Sequence, residues 1–298
     1  MLEEVLTALA LRPGAVVMDC TLGRGGHALE IARQISPGGT LVALDVDPEN
    51  LKYARKRLEE AGVVGEGGAS LRTFHANFGE APDVLAALDI AGVDGLLADF
   101  GVSTNQLLDT RHGLSFNSEA PLDMRLDPRV KEKASDLLAQ WDEKQIADVL
   151  YQYAQERFSY RIARKIVLTR ATEPILTTGQ LARLVRSVVP ARWGQIDPAT
   201  RTFQALRMAV NSELAVLEDF LASLPALLKP DARAAFISFH SGEDRLVKQA
   251  VRGYEEAGQC AALTKKPQEP AEMETTRNPR SRSAKLRAIR WTGGPPAR

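Results

Sequence analysis

The sequence has few cysteines, no net charge and no long hydrophobic run, and each shortage excludes a class of protein. Its two cysteines, Cys20 and Cys260, are too few for a disulfide framework and too far apart for a Cys-x-x-Cys metal pair. No stretch reaches the ~18–20 uninterrupted apolar residues of a membrane-spanning helix, and the N-terminus lacks the basic segment of a signal peptide. We expect a cytoplasmic protein with no metal site and no membrane partner.

Charge of neither sign dominates the chain. Lys plus Arg and Asp plus Glu each number 38, so any contact with nucleic acid must come from local clusters of cations. Hydrophobic residues at 44% and charged residues at 26% are typical of globular proteins. The length of 298 residues allows one large domain or two smaller ones.

Apolar runs predict buried parallel strands in the first hundred residues. Residues 15–18, 40–44 and 93–98 are almost continuously apolar, whereas exposed strands alternate. Helical spacing occurs between and before these runs, at residues 2–11, 27–34 and 48–61. Alternation of strand and helix indicates an α/β doubly wound sheet, in which ligands bind at the carboxyl ends of the strands.

The pattern changes after residue 101, because the next hundred residues have helical spacing without a strand run. The predicted helices of this part cover residues 135–150, 155–170 and 177–189. The α/β pattern then resumes, with helices at 203–228 and 243–257, strands at 233–239 and 286–291, and a surface loop at 264–285. We predict a sheet domain of residues 1–107 and 203–298, interrupted by a helical substrate-recognition domain of residues 108–202.

A glycine-rich segment lies where the first strand passes into a helix. Gly23 and Gly25 loosely match a dinucleotide-binding pattern and would let a ligand approach the backbone. Asp45 ends the second strand about twenty residues later, where a carboxylate accepts hydrogen bonds from ribose hydroxyls. A tight turn without a ligand is the alternative for the glycines, and Asp47 before a proline is typical of a helix N-cap. Together the two motifs favour an adenosine-type ligand.

Asp99, at the end of the fourth strand, separates two kinds of cofactor. A nicotinamide enzyme needs no acidic residue there. Methylation of an exocyclic amine does need a hydrogen-bond acceptor near the methyl donor, because the lone pair of the amine is delocalised into the base. Capping of the following turn is the alternative role of Asp99. Carbon methylation would need an activated thiolate beside the base, and Cys20 and Cys260 are poorly placed for that.

Two features near the C-terminus could contact RNA. His240 follows the strand at 233–239, where a histidine is as often a structural hydrogen-bond partner. Residues 277–290 contain six cations and no acid, enough to neutralise several phosphates, although charge runs are usually solvated surface. The predicted helical insertion adds further cations at Arg157, Arg161, Arg164 and Lys165.

Seven strings, in order and spread over nearly the whole chain, resemble the bacterial MraW (RsmH) methyltransferase family. They are TLGRGGH (21–27), DVDP (45–48), DGLLADFGVS (94–103), PLDMR (121–125), PATRTFQALR (198–207), SFHS (238–241) and NPRSRSAKLR (278–287). The resemblance implies a Rossmann-like S-adenosylmethionine-dependent methyltransferase sheet interrupted by an inserted helical domain. It also implies methyl transfer from S-adenosylmethionine to N4 of a cytidine in 16S ribosomal RNA near the decoding centre.

The resemblance further implies partners and site residues. The partner would be 16S ribosomal RNA or the assembled small ribosomal subunit, with a homodimer among the assemblies that the family allows. The family's S-adenosylmethionine contacts fall on Gly25, Gly26, His27, Asp45, Phe78, Asp99 and Gln106. We predict that Asp99 is catalytic, and that RNA contacts involve His240, Arg207, Arg280 and Arg282.

Two other functional classes stay open on the sequence. A nicotinamide oxidoreductase would bind NAD(P) in place of S-adenosylmethionine. A non-catalytic ribosome-assembly factor would keep the fold and transfer no methyl group to small subunits. Cofactor binding and methyl transfer therefore distinguish the three classes.

Overall fold

The protein is described by a computed structural model over residues 1–117, 119–190 and 196–293. It divides into two units, the first of Met1–Gly101 with Leu214–Arg298 and the second of Val102–Glu213. The chain therefore leaves the first unit once and later returns to it. Within the described ranges, no helix is long and apolar enough to cross a membrane. A role of the second unit in substrate recognition stays a prediction.

Seven strands form the sheet of the first unit: β1 Val16–Asp19, β2 Thr40–Asp45, β3 Ser70–His75, β4 Val93–Asp99, β5 Leu228–Ser238, β6 Cys260–Ala262 and β7 Lys285–Trp291. Their order across the sheet is β3-β2-β1-β4-β5-β7-β6. The first five strands pair in parallel, whereas β7 is antiparallel to β5 and β6 is antiparallel to β7. The predicted α/β sheet is confirmed.

The helices follow the chain between the two units. The first unit begins with α1 Leu2–Leu9, α2 Gly26–Ile35, α3 Pro48–Glu60 and α4 Ala81–Ala87. The second contains α5 Thr104–Leu108, α6 Ala134–Gln140, α7 Glu143–Ala154, α8 Ser159–Arg170, α9 Thr178–Val188 and α10 Thr200–Val210. The chain returns to the first unit through α11 Glu213–Leu227, followed by α12 Ser241–Glu256 and α13 Glu272–Arg277. The predicted helical insertion into the sheet is thus present.

The apolar runs of the sequence form strands that are covered on both faces. Successive side chains of a strand point to opposite faces, so Met18 of β1 belongs to one core and Val17 to the other. Leu96 and Leu97 of β4 divide in the same way. Because both faces are buried, the sequence of these strands shows no alternation.

Three predicted elements are wrong in their extent. The helix expected at 135–150 is two helices, because the Asp142 carboxylate accepts a hydrogen bond from the Gln145 N–H at 2.7 Å and begins α7. The helix expected at 203–228 is interrupted between α10 and α11, where Ser212 has φ +50°. The surface loop expected at 264–285 contains α13 and a 3-10 turn, Pro279–Ser283.

An aromatic cluster supports the carboxyl edge of the sheet from one side. Phe220 of α11 is fully buried and packs edge-on against Phe78 and Phe100, with ring centroids 5.4 and 6.2 Å apart. Phe78 and Phe100 also contact each other, at 5.5 Å. Phe78 follows β3 and Phe100 follows β4, so the cluster fixes two of the chain segments that leave the sheet at this edge.

We expect the substitution Phe220→Ala to lower the free energy of unfolding by about 3–5 kcal/mol, because it removes a fully buried aromatic ring and leaves a cavity. Chemical denaturation measures this change. Leu263→Ala is the control, since Leu263 is 42% exposed and its loss should change stability by less than about 0.5 kcal/mol. Equal losses in the two variants would contradict the place of Phe220 in the core.

Candidate active site

The candidate site lies where the order of the parallel strands reverses. β2 and β4 flank β1, so the connections that leave β1 and β4 diverge and open a crevice at the carboxyl edge of the sheet. Asp19, Asp45 and Asp99 are the last residues of β1, β2 and β4. Three carboxyl groups are therefore aligned along this edge.

The turn after β1 depends on glycine at two positions and is open at a third. Gly23 has φ +53°, and its N–H donates to Asp45 Oδ2 at 2.6 Å. Gly25 has φ +73°, and a Cβ at this position would lie 2.9 Å from Leu58 Cδ1. A Cβ at Gly26 would meet open space among the described residues. The turn therefore packs closely against α3 but leaves the backbone at Gly26 accessible to a ligand.

Asp45 ties the glycine turn to the end of β2. Besides the bond from Gly23, its Oδ1 accepts from the Asp47 N–H at 2.8 Å and lies 3.3 Å from Asn50 Nδ2. Burial raises the pKa of Asp45 to about 6, and these hydrogen bonds act in the opposite direction. A carboxylate has about four acceptor positions, so capacity for a ligand is left. Asp47 caps α3 by accepting from the Glu49 N–H at 2.9 Å, which confirms its predicted capping role.

Asp99 combines a fixed backbone with an unsatisfied side chain. Its N–H donates to Thr21 Oγ1 at 2.7 Å. The side chain is 29% exposed as a whole, yet its Oδ1 is buried and has no hydrogen-bond partner within the described residues. Burial, with a contribution from Asp19, raises the pKa of Asp99 to about 7. A buried acceptor without a partner costs roughly 1–3 kcal/mol, so this position favours a ligand that donates a hydrogen bond.

The alternative role of Asp99, capping of the following turn, has no hydrogen bond to support it in the described parts of the chain. The turn itself is set by Gly101, which has φ +100° and packs close to Phe239. The carboxylate therefore remains available at the end of β4.

Asp19 received no role from the sequence, although it is as deeply placed in the site as any residue. It is 1% exposed, and its Oδ1 accepts from the Thr21 N–H at 3.1 Å. Burial is the main cause that raises its pKa to about 7, and Asp45 adds to the effect. Thr21 thus bridges Asp19 and Asp99. The available signal was an aspartate placed directly after an apolar run and before the glycines.

His27 lies in the first turn of α2 and faces Asp99. Its Nδ1 is 3.7 Å from Asp99 Oδ2, too far for a hydrogen bond. Burial lowers the pKa of His27 to about 4, so the ring is neutral at pH 7. The two side chains are therefore neighbours without forming a charged pair at that pH.

Phe78 presents an apolar ring beside the same edge. It begins a 3-10 turn that Asn77 caps by accepting from the Gly79 N–H at 3.1 Å. The ring is partly buried against Phe100 and Phe220. Its remaining surface suits the predicted contact with adenine, which stays a prediction.

His240 is the N-cap of α12. Its Nδ1 accepts from the N–H groups of Gly242 and Glu243 at 3.2 and 3.3 Å. Its Nε2 lies 3.1 Å from Glu243 Oε1, without the geometry of a hydrogen bond. The structural role that the sequence left open is therefore present, and a contact with RNA stays a prediction.

Gln106 and Arg207 belong to the second unit and have partners there. Gln106 Oε1 accepts from the N–H and the hydroxyl of Ser103 at 3.1 and 2.9 Å. Arg207 forms two hydrogen bonds with the Glu213 carboxylate, at 2.7 and 2.8 Å. The predicted ligand contacts of both residues remain untested. In the first unit, Arg280 and Arg282 are exposed in the 3-10 turn after α13.

The raised pKa of Asp99 should make stability depend on pH. The folded protein binds more protons than the unfolded chain between about pH 4 and pH 7, so this group lowers the free energy of unfolding as pH rises through that window. We therefore expect Asp99→Asn to gain stability relative to the parent as pH increases from about 4 to about 7. Denaturation at several pH values gives the difference, in which the opposite effect of His27 cancels.

Glu60→Gln is the matched control for this experiment, because Glu60 is 67% exposed and the change removes the same charge. Its stability relative to the parent should stay nearly constant over the same pH range. A parallel pH dependence in both variants would show that the burial of Asp99 is not its cause.

Comparison with known proteins identifies the family. Residues 1–292 match the model of the MraW methylase family. A relative named Ribosomal RNA small subunit methyltransferase H, from Acidobacterium capsulatum, is 45% identical over 290 residues, which cover 97% of this chain and 96% of the relative. Proteins of the same name from Syntrophotalea carbinolica and Koribacter versatilis are 46% and 45% identical, over 97% and 96% of this chain and 96% and 91% of their own lengths. The predicted resemblance is confirmed: this chain belongs to the MraW methylase family.

Proposed function

We propose that the chain transfers a methyl group from S-adenosylmethionine to N4 of a cytidine in 16S ribosomal RNA. Its membership of a methylase family, and relatives named for methylation of small-subunit ribosomal RNA, support an enzyme of this class. The observation that carries the chemistry is the buried Asp99 Oδ1, which has no hydrogen-bond partner in the described ranges and lies at the carboxyl edge of the sheet.

The residues of the first unit fit S-adenosylmethionine. This cofactor supplies an electrophilic methyl group on a positively charged sulfur. The aligned carboxyl groups of Asp19, Asp45 and Asp99 suit a cationic ligand. Asp45 would accept hydrogen bonds from the ribose hydroxyls, and Phe78 would contact the adenine. The remaining proposed contacts are Gly25, Gly26, His27 and Gln106.

Asp99 would make the cytosine amine nucleophilic. The lone pair of N4 is delocalised into the ring, and a hydrogen bond from N4–H to the carboxylate shifts electron density back to the nitrogen. With a pKa of about 7, Asp99 also suits the proton that N4 releases when it gains the methyl group. A route through a thiolate is disfavoured, because both cysteines are buried and the pKa of each thiol is raised.

The RNA must present the base without its partner, because pairing and stacking hide N4. Unstacking costs roughly a few kcal/mol, which contacts with flanking RNA would offset. Arg280 and Arg282 are exposed and form no ion pair among the described residues, so they suit phosphate contacts. His240 and Arg207 remain proposed RNA contacts, and both also hold carboxylates of the protein. A cytoplasmic location agrees with an RNA substrate and free thiols.

The substitution Asp99→Asn tests the catalytic proposal. An amide cannot take up the proton and is a weaker acceptor, so we expect kcat for methyl transfer to fall by about 10²–10⁴-fold. Radiolabelled methyl transfer to small ribosomal subunits from cells that lack this protein measures the rate, and mass spectrometry of the digested RNA identifies N4-methylcytidine.

Each outcome of that experiment is informative. Full activity of the variant would remove Asp99 from the mechanism. Absence of N4-methylcytidine with the parent protein would refute the proposed function, and equilibrium dialysis that shows bound NAD(P) would favour the oxidoreductase in its place.

The substitution Gly26→Ala tests the place of the cofactor. The added methyl group meets open space in the protein, so folding should be unaffected, but it would obstruct a ligand that approaches this backbone. We expect the Kd for S-adenosylmethionine, measured by calorimetry, to rise at least about tenfold, equivalent to 1.4 kcal/mol. Gly253→Ala in α12 is the matched control, because its Cβ also meets open space. Equal affinities of both variants would place the cofactor elsewhere.

A further inference from the structure

A stretch of the second unit concentrates cations without acidic neighbours. Between residues 157 and 172 the sequence has five Arg and Lys residues and no Asp or Glu, although the whole chain has equal numbers of both charges. Arg170 is occupied, since it donates to the Leu138 carbonyl. The other four are exposed and form no ion pair within the described parts of the chain: Arg157, Arg161, Arg164 and Lys165.

These cations share one face of α8 with an exposed tyrosine. With 3.6 residues per turn, the exposed side chains fall within an arc of about 140°, namely Tyr160, Arg161, Arg164, Lys165 and Leu168. The buried residues Ser159, Ile162, Ala163 and Ile166 lie on the opposite side of the helix. Tyr160 is 60% exposed. We name Arg157, Tyr160, Arg161, Arg164 and Lys165 the α8 basic face.

Contacts at the start of α8 support this face. The Arg161 guanidinium lies over the Phe158 ring, 5.4 Å from its centroid, which orients the charge without neutralising it. Arg201 of α10 donates to the Gln155 carbonyl at 3.3 Å and is itself exposed, so it brings another cation close to Arg157. The positive charge is therefore built from two helices.

We infer that the α8 basic face docks a single-stranded segment of the substrate RNA. The cations would contact its phosphates, and Tyr160 would stack on one of its bases. This combination of a positive surface with an exposed aromatic ring is how proteins bind single strands without reading their sequence. The inference rests on the proposed function, because the docked segment is the RNA that flanks the methylated cytidine.

The chemistry of the face favours RNA over a lipid surface. An interfacial helix buries a broad apolar face in the membrane, whereas Leu168 is the exposed aliphatic residue of this arc and stands beside three cations. Phosphates of RNA satisfy the cations directly, and a nucleobase satisfies the tyrosine ring.

A matched pair of variants tests the phosphate contacts. Lys165→Gln removes a cation from the α8 basic face, and Lys144→Gln removes an exposed cation beside the acidic Asp142 and Glu143 of the same unit. The probe is small-subunit ribosomal RNA from cells that lack this protein, with binding measured at several salt concentrations. Lys165→Gln should reduce the slope of log K against log salt by about 0.7, the value for one single-strand phosphate contact. Lys144→Gln should keep the slope of the parent.

Tyr160 provides an independent test of stacking. Tyr160→Ala should weaken RNA binding by about fivefold to a hundredfold, and Tyr160→Phe should restore it, because the ring face is what stacks. In steady-state assays the variants of the face should raise the KM for RNA and leave kcat and the Kd for S-adenosylmethionine unchanged. A merely structural role would alter kcat or cofactor binding as well.

The outcomes separate this inference from the proposed function. If the parent methylates the RNA and the variants of the face behave like Lys144→Gln, the inference is overturned and the proposed function stands. If the parent transfers no methyl group, the proposed function fails, and the docking of this RNA fails with it. Loss of binding to phosphatidylserine vesicles in the Lys165→Gln variant, with RNA binding intact, would also overturn the inference.

Discussion

The site depends on the hydrogen bonds that hold the turn after β1 to the strands on both sides. The N–H of Gly23 donates to the Asp45 carboxylate at the end of β2, and Thr21 accepts from the Asp99 N–H at the end of β4. These bonds are possible because β1 lies between β2 and β4. They bring the glycine backbone and the strand-end carboxyl groups into one fixed arrangement, so the order of the strands determines where a ligand is held.

This arrangement concentrates acidic groups where solvation is poor. Burial raises the pKa of Asp19, Asp45 and Asp99, so ionising them in the folded protein costs free energy. The surrounding packing, including the Phe78, Phe100 and Phe220 cluster, must offset that cost. A cationic ligand at this edge would relieve the same cost, and part of its affinity would come from charges that the fold has already placed.

The sequence predicted the elements that depend on pattern and missed those that depend on neighbours. Continuous apolar runs revealed the buried strands, and residues at their ends revealed Asp45 and Asp99. Asp19 was missed, because its burial and its link to Asp99 through Thr21 arise from pairing across strands. His240 could not be assigned between helix capping and RNA contact, because the sequence does not show which ring nitrogen accepts. The helix ends at Asp142 and Ser212 were set by a local cap and a positive φ that hydrophobic spacing does not register.

The insertion of the second unit also affects how the sheet is made on the ribosome. β4 ends at residue 99, whereas its partner β5 begins at residue 228. At ordinary rates of translation the two emerge on the order of ten seconds apart. During that delay one edge of β4 in the nascent chain is unpaired and open to wrong pairing. A helical unit that folds in the interval would shorten the loop whose closure completes the sheet, and so lower the entropy lost at that step.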